Sequence, residues 1–134
     1  MSAVYCDTSA LYALLDRSDA NAGRAAKVWE VLTDEATSLV TTSYVVLETV
    51  ALVQARLGME AVTALRMIVD PFISVHYVDA PLHLAALEQV VSLSRRALSL
   101  VDCTSFAFMR QHGIKRVFAF DRHFREFGFV PTAE

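Results

Sequence analysis

Apolar and polar positions alternate along this chain in two rhythms, one with the period of a strand and one with that of a helix. SAVYCD is a short apolar run closed by an acid, and in the following TSALYALLD Leu11, Leu14 and Leu15 recur at helical spacing. This predicts a strand leading into a helix. NAGRAAKVWEVLTDEA carries a stripe of Ala22, Ala25, Ala26, Trp29 and Leu32, a second helix with Asp19 as its cap. SLVTT is rich in β-branched residues and reads as a strand. SYVVLETVALVQARLG reads as a helix capped by Ser43 and stopped at Gly58, with Glu48 in its second turn. MEAVTALRMIVD is a further helix expected to end at Asp70, because the residue before Pro71 is pushed out of the α region.

The second half repeats the alternation. FISVHYVD alternates as a third strand, and APLHLAALEQVVSLSRRA returns to helical spacing with Pro81 in its first turn. LVDCTSFAFMRQHG is a helix closed by Gly113, and KRVFAFD is a fourth strand closed by an acid. Residues 122–134 hold a short helix and a last edge strand around Phe129. Strands separated by helices, without hairpin signals, predict an α/β architecture: a central, mostly parallel sheet of four to five strands with helices on both faces. The length of 134 residues suits one domain over 1–134, and there is no internal repeat or low-complexity linker.

Composition narrows the function classes. No run approaches the roughly 18 apolar residues that span a bilayer, so a soluble, cytoplasmic protein with no membrane partner is expected. Cys6 and Cys103 are too few for a disulfide framework or an ordinary zinc site, and each adjoins an aspartate, so they are expected to be small buried residues there. The net charge of −3 conceals an asymmetry. Residues 1–94 carry eleven acids and five bases, whereas 95–125 carry seven bases and two acids. Phosphate contacts therefore have somewhere to form in the last third, from Arg95, Arg96, Arg110, Lys115, Arg116, Arg122 or Arg125. Arg122 and Arg125 stand out because they follow Asp121.

In an open parallel sheet, ligands bind beyond the carboxyl ends of the strands, where the strand order reverses. Asp7 and Asp121 end the first and fourth predicted strands, and Glu48 and Asp102 fall in early turns of helices that could open at the same edge. Singly, each has an ordinary explanation: Asp7 as a helix cap, Asp121 as an Asx-turn residue. Jointly, their apolar surroundings demand compensation, and no Lys or Arg lies within six residues of Asp7 or Glu48. Two carboxylates about 4 Å apart repel by roughly 4 kcal/mol at an effective dielectric of 20, so such a cluster takes up protons or recruits a cation. All-oxygen ligands suit Mg2+ or Mn2+, and such an ion can activate water against a phosphodiester. His76, His83, His112 and His123 share no spacing with the acids and are assigned to surface or core.

Four segments together, DTSALYALLD, TTSYVVLET, LSLVDCTSFAFMRQHGIKRVFAFDRHF and the closing FGF, resemble the PIN domain family, and within it the VapC-type toxin ribonucleases of prokaryotic toxin–antitoxin pairs. The resemblance spans nearly the whole chain. It implies a PIN-like three-layer α/β/α fold, with Asp7, Glu48, Asp102 and Asp121 as metal-binding acids and Thr8 and Ser9 as the polar residues that follow the first. Ser105, one helical turn after Asp102, is a candidate to support the ligands or to pack. Arg95, Arg96, Arg122 and Arg125 are the candidate RNA contacts. It also implies Mg2+- or Mn2+-dependent RNA cleavage with water as nucleophile, a homodimer, and a small cognate VapB-type antitoxin that blocks the site. Of the four acids, Asp121 has the most open role, either binding through water or orienting the nucleophile. Asp16 and Asp19 are expected in a solvated loop. Three readings compete: a PIN nuclease of RNA processing outside such a pair, an inactive PIN-fold binding module, and a phosphatase using Asp7 as nucleophile. The last lacks its second aspartate, because position 9 is Ser.

Overall fold

A computed structural model describes residues 3–132; Met1, Ser2, Ala133 and Glu134 lie outside the described residues. The chain runs β1 (Val4–Cys6), α1 (Thr8–Leu15), α2 (Ala22–Asp34), β2 (Leu39–Thr42), α3 (Ser43–Leu57), α4 (Met59–Phe72), β3 (Ile73–His76), α5 (Ala80–Leu93), α6 (Leu100–Gln111), β4 (Arg116–Phe118), α7 (His123–Glu126) and β5 (Val130–Pro131). The five strands form one sheet in the order β3-β2-β1-β4-β5, every neighbouring pair parallel. The chain builds outward from β1 to β3 on one side, then returns to lay β4 and β5 on the other. The reversal between β1 and β4 opens a crevice at their carboxyl ends.

Helices cover both faces because β1 is apolar on both. Tyr5 turns towards α6, its ring 5.8 Å from that of Phe108 and its hydroxyl bonded to Ser105 Oγ at 2.7 Å and Thr42 Oγ1 at 3.1 Å. On the opposite face Trp29 of α2 stacks on Phe118 of β4 and meets Phe72 of α4 edge-on. Beneath α6, Phe106 packs between Phe124, Phe127 and Phe129. Tyr5 is fully buried, so Tyr5→Phe strands two hydroxyls in the core. We expect it to lower the melting temperature by roughly 3–8 °C, read by circular dichroism; an unchanged Tm would show that the network contributes nothing.

Several local expectations are corrected. Ser43 is the first residue of α3 rather than its cap; Thr42 holds the cap position without a side-chain bond, and Ser43 Oγ instead accepts from the Val78 amide at 3.0 Å. Asp19 lies two residues before the α2 cap, Asn21, whose amide it accepts in a local turn. In the α2 stripe Ala26 is exposed, and Val28 packs against the core instead. The fourth helix passes through Pro71 to Phe72, since a proline in the last turn removes only one amide donor. The third strand stops at His76, and the fourth at Phe118, three residues before Asp121.

Candidate active site

Asp7 leaves β1 at its carboxyl end and caps α1, so its cap role and its place in the cluster are the same position. One carboxylate oxygen accepts from both the Ser9 amide at 3.1 Å and the Ser9 hydroxyl at 2.7 Å. Ser9 Oγ in turn accepts from the Phe120 amide at 2.9 Å, which ties the start of α1 to the segment that carries Asp121. Only 4% of Asp7 is exposed. Burial pushes its carboxyl up to about 7, against the pull of Ser9 and with a further push from the charges of Asp102 and Asp121.

The other acids arrive from separate elements. Glu48, half-buried on α3, is also raised by burial, offset by the Thr8 hydroxyl and reinforced by Asp102 and Asp121. Thr8 is buried and accepts from Thr49 Oγ1 at 3.0 Å, which joins α1 to α3. Asp102 sits in the first turn of α6 in a reciprocal capping box with Ser99. Burial raises it despite those bonds, and Asp121 raises it further. Asp7, Glu48 and Asp102 each sense the charge of Asp121, which puts the four acids, from the end of β1, α3, α6 and the β4–α7 turn, in one electrostatic neighbourhood.

His123 was assigned to surface or core on sequence grounds; it is buried, but within the cluster. Its amide donates to Asp121 Oδ1 at 2.9 Å, and its ring Nδ1 lies 2.9 Å from the same oxygen. That second approach lacks hydrogen-bond geometry, which leaves Nδ1 buried and unsatisfied. Donor atoms of Asp102, Asp121 and His123 all lie within 4.8 Å of one another, a group that, among the described residues, does not include Asp7 or Glu48. Octahedral ligands at about 2.1 Å from an ion stand roughly 3 Å apart along an edge and about 4.2 Å apart across it, so small side-chain adjustments would bring these donors onto one cation. Raised acids, an orphaned buried nitrogen and a predominance of carboxylate oxygens together fit a divalent ion. The signal in the sequence was the closeness of His123 to Asp121 in FDRHF, which set it apart from the other histidines without giving it a role.

Other candidates fall elsewhere. Ser105 is fully buried with its hydroxyl engaged by Tyr5, so it packs below the crevice. Arg95, in the α5–α6 connection, is paired with Glu126, at 3.2 Å in one of two contacts, and lies over Phe127. Arg96 is exposed in the same connection. Arg122 and Arg125 line a cleft with Asp121. Asp16 accepts from Tyr12 and Ser18 in the loop after α1. Cys6 and Cys103 are both buried and free. No helix among the described residues is long and apolar enough to cross a membrane.

The family model of the PIN domain matches residues 4–130. The 23S rRNA-specific endonuclease VapC20 of Mycobacterium tuberculosis, in both the CDC 1551 / Oshkosh and the ATCC 25618 / H37Rv strains, is 36% identical over 130 residues. That match covers 96% of this chain and 97% of the relative. The crystal structure of Mycobacterium tuberculosis VapC20, a sarcin–ricin loop cleaving toxin, superposes with a TM-score of 0.85 at 35% identity, covering 96% of this chain and 97% of that one. A single fold matched from end to end, with the acid-lined crevice at its switch point, places the chain in the PIN domain family, among its VapC-type toxin endonucleases.

Proposed function

We propose that this chain is the toxin of a toxin–antitoxin pair, a Mg2+- or Mn2+-dependent endoribonuclease acting in the cytoplasm on a structured loop of 23S ribosomal RNA. The observation that supports the reading is the grouping of Asp102, Asp121 and His123 donor atoms within 4.8 Å, beside Asp7 and Glu48, whose carboxyls are raised by burial and by the charges of Asp102 and Asp121. Such a cluster is electrostatically incomplete without a cation. Asp102, Asp121 and His123 would supply the closest donors to the ion, Asp7 and Glu48 would be the further acids that complete the set, and Asp121, oriented by the amide of His123, would bind the ion or direct water. When bound, a divalent ion makes water nucleophilic near neutral pH and offsets the charge that develops on a phosphodiester. Ser9 keeps the first acid and the Asp121 segment in register, and Thr8 steadies α1 against α3.

The choice of ribosomal RNA rests on the full-length similarity to VapC20. The proposed homodimer is supported by apolar side chains left exposed on two helices: Leu47 of α3, and Leu84, Leu87 and Val91 of α5. A cleft of about 330 Å3 lined by Tyr44, Leu47, Ala51, Leu100 and Val101 adjoins Glu48 on that side. A VapB-type antitoxin with a cationic segment would silence the enzyme by pairing with the acids that otherwise hold the ion.

Sequencing of RNA 5′ ends after induced expression tests the reading. One new end in the 23S rRNA sarcin–ricin loop is expected, absent when the induced protein carries Asp7→Asn. New ends confined to another RNA would overturn the ribosomal assignment, and none at all would overturn the ribonuclease.

A further inference from the structure

Beyond the acids, on the β4 side of the sheet, lies a cleft of about 220 Å3 lined by Asn21 and Arg24 of the α2 start together with Phe120, Asp121, Arg122 and Arg125. Asp121 lines this cleft and also groups with Asp102 and His123, so the cleft borders the acids. Three arginines from two distant parts of the chain meet one acid here. Arg24 comes from the half of the sequence with the acidic excess, and its guanidinium lies 5.2 Å from the centroid of the Phe120 ring. That contact with the aromatic face restricts the side chain at the cleft wall before any ligand arrives, which lowers the ordering cost of a phosphate contact. The volume is below the roughly 300–1,000 Å3 of pockets that enclose a whole small molecule. It is sized for a phosphate and part of its sugar.

We infer that this cleft is a phosphate subsite for the RNA strand flanking the scissile bond, with Arg24 as a substrate-positioning residue alongside Arg122 and Arg125. The inference rests on the ribonuclease reading and deepens it: it gives the strand a direction, from the acids across the β4–α7 turn towards the start of α2. Phosphodiester is the ligand class the cleft favours, because an Arg cluster recognises phosphate oxygens by charge and by paired donors, and each backbone phosphate offers both. An anionic protein segment would meet the same arginines without needing the neighbouring acids, and the kinetic readout below separates the two.

Cleavage of a labelled sarcin–ricin oligoribonucleotide in Mn2+ at several salt concentrations tests it, comparing wild type, Arg24→Gln and Arg66→Gln. Arg66 is an exposed arginine of α4 paired with Asp70, so its variant makes the same charge change on another helix. Arg24→Gln is expected to raise KM roughly fivefold at unchanged kcat, and to make log(kcat/KM) fall less steeply with log salt, by about 0.7, the increment for one single-strand phosphate contact. Arg66→Gln is expected to match wild type in both. If wild type cleaves and the two variants behave alike, or Arg24→Gln lowers kcat alone, the subsite is overturned while the nuclease stands. If wild type cleaves no RNA, both fall.

Discussion

Above pH 7, Asp7→Asn is expected to stabilise the chelated protein while it abolishes cleavage. Asp7 is buried and pushed up to about 7, whereas the unfolded chain carries an ordinary aspartate near 3.8. Between those values the folded protein retains a proton that the unfolded chain has lost. Stability attributable to this group is therefore fully present below about pH 4, and it declines as pH rises towards 7. The full span is worth about 4 kcal/mol. Asparagine keeps the oxygen that accepts from the Ser9 amide and hydroxyl and is an equally good helix cap, but has no charge to desolvate. A gain in Tm of roughly 5 °C or more at pH 8 is expected in EDTA, vanishing below pH 4. Loss of one electrostatic anchor of the reacting centre is expected to cost 10²–10³-fold or more in kcat, on the order of 3–4 kcal/mol. Thermal melts across pH, paired with cleavage assays, check both halves. An Asn variant no more stable than wild type at pH 8, or one that still cleaves, would remove Asp7 from the role assigned to it.

Chelation is expected to abolish cleavage and Mn2+ to restore it, with an affinity that depends on pH in a defined direction. A cation entering the crevice displaces protons from acids whose affinity for protons is raised: Asp7 foremost, then Glu48 and Asp102. Apparent affinity for Mn2+ should rise by roughly tenfold per pH unit below pH 7 for one displaced proton, and flatten above it. Isothermal titration at pH 6, 7 and 8 reads this directly, together with the protons released. At a hundredfold excess over Kd, the ion should add about 2.7 kcal/mol to the stability of the wild type. An affinity that ignores pH, or cleavage that persists in EDTA, would mean that the raised acids are not where the ion sits.

These two expectations share one cause. Burial and the charges around them raise Asp7, Glu48 and Asp102, and a cation bound there would relieve that cost. The hydrogen bonds of Ser9 and Ser99 reduce it without removing it.

Alternating periods located the major helices and the first four strands, because a strand with apolar residues on both faces and a helix with one apolar stripe leave different spacings in a sequence. Trp29 belongs to the α2 stripe on that ground alone. The four acids could be named for a similar reason: Glu48 in VVLETVAL and Asp102 in LVDCTSFAF are charges among residues that must be buried. Element ends were less legible. Ser43 and Asp19 have the chemistry of caps, but a tertiary partner, the Val78 amide, engages one, and a local turn engages the other.

What the sequence determined by itself was therefore the α/β class and the parallel sheet, which follow from spacing, while the cost of burying charge singled out the acids as candidates. Only the tertiary structure decided which neighbours those acids acquired. His123 entered the cluster because the β4–α7 turn folds its ring back on Asp121. Ser105 left it because Tyr5 reaches its hydroxyl first. Arg95 was engaged by Glu126, 31 residues away, while Arg24 reached the far wall of the crevice from a segment whose charge gave no hint of it. Spacing along a chain records periodicity and local capping, whereas the strand reversal between β1 and β4 sets distances between residues more than a hundred positions apart, such as Ser9 and Phe120.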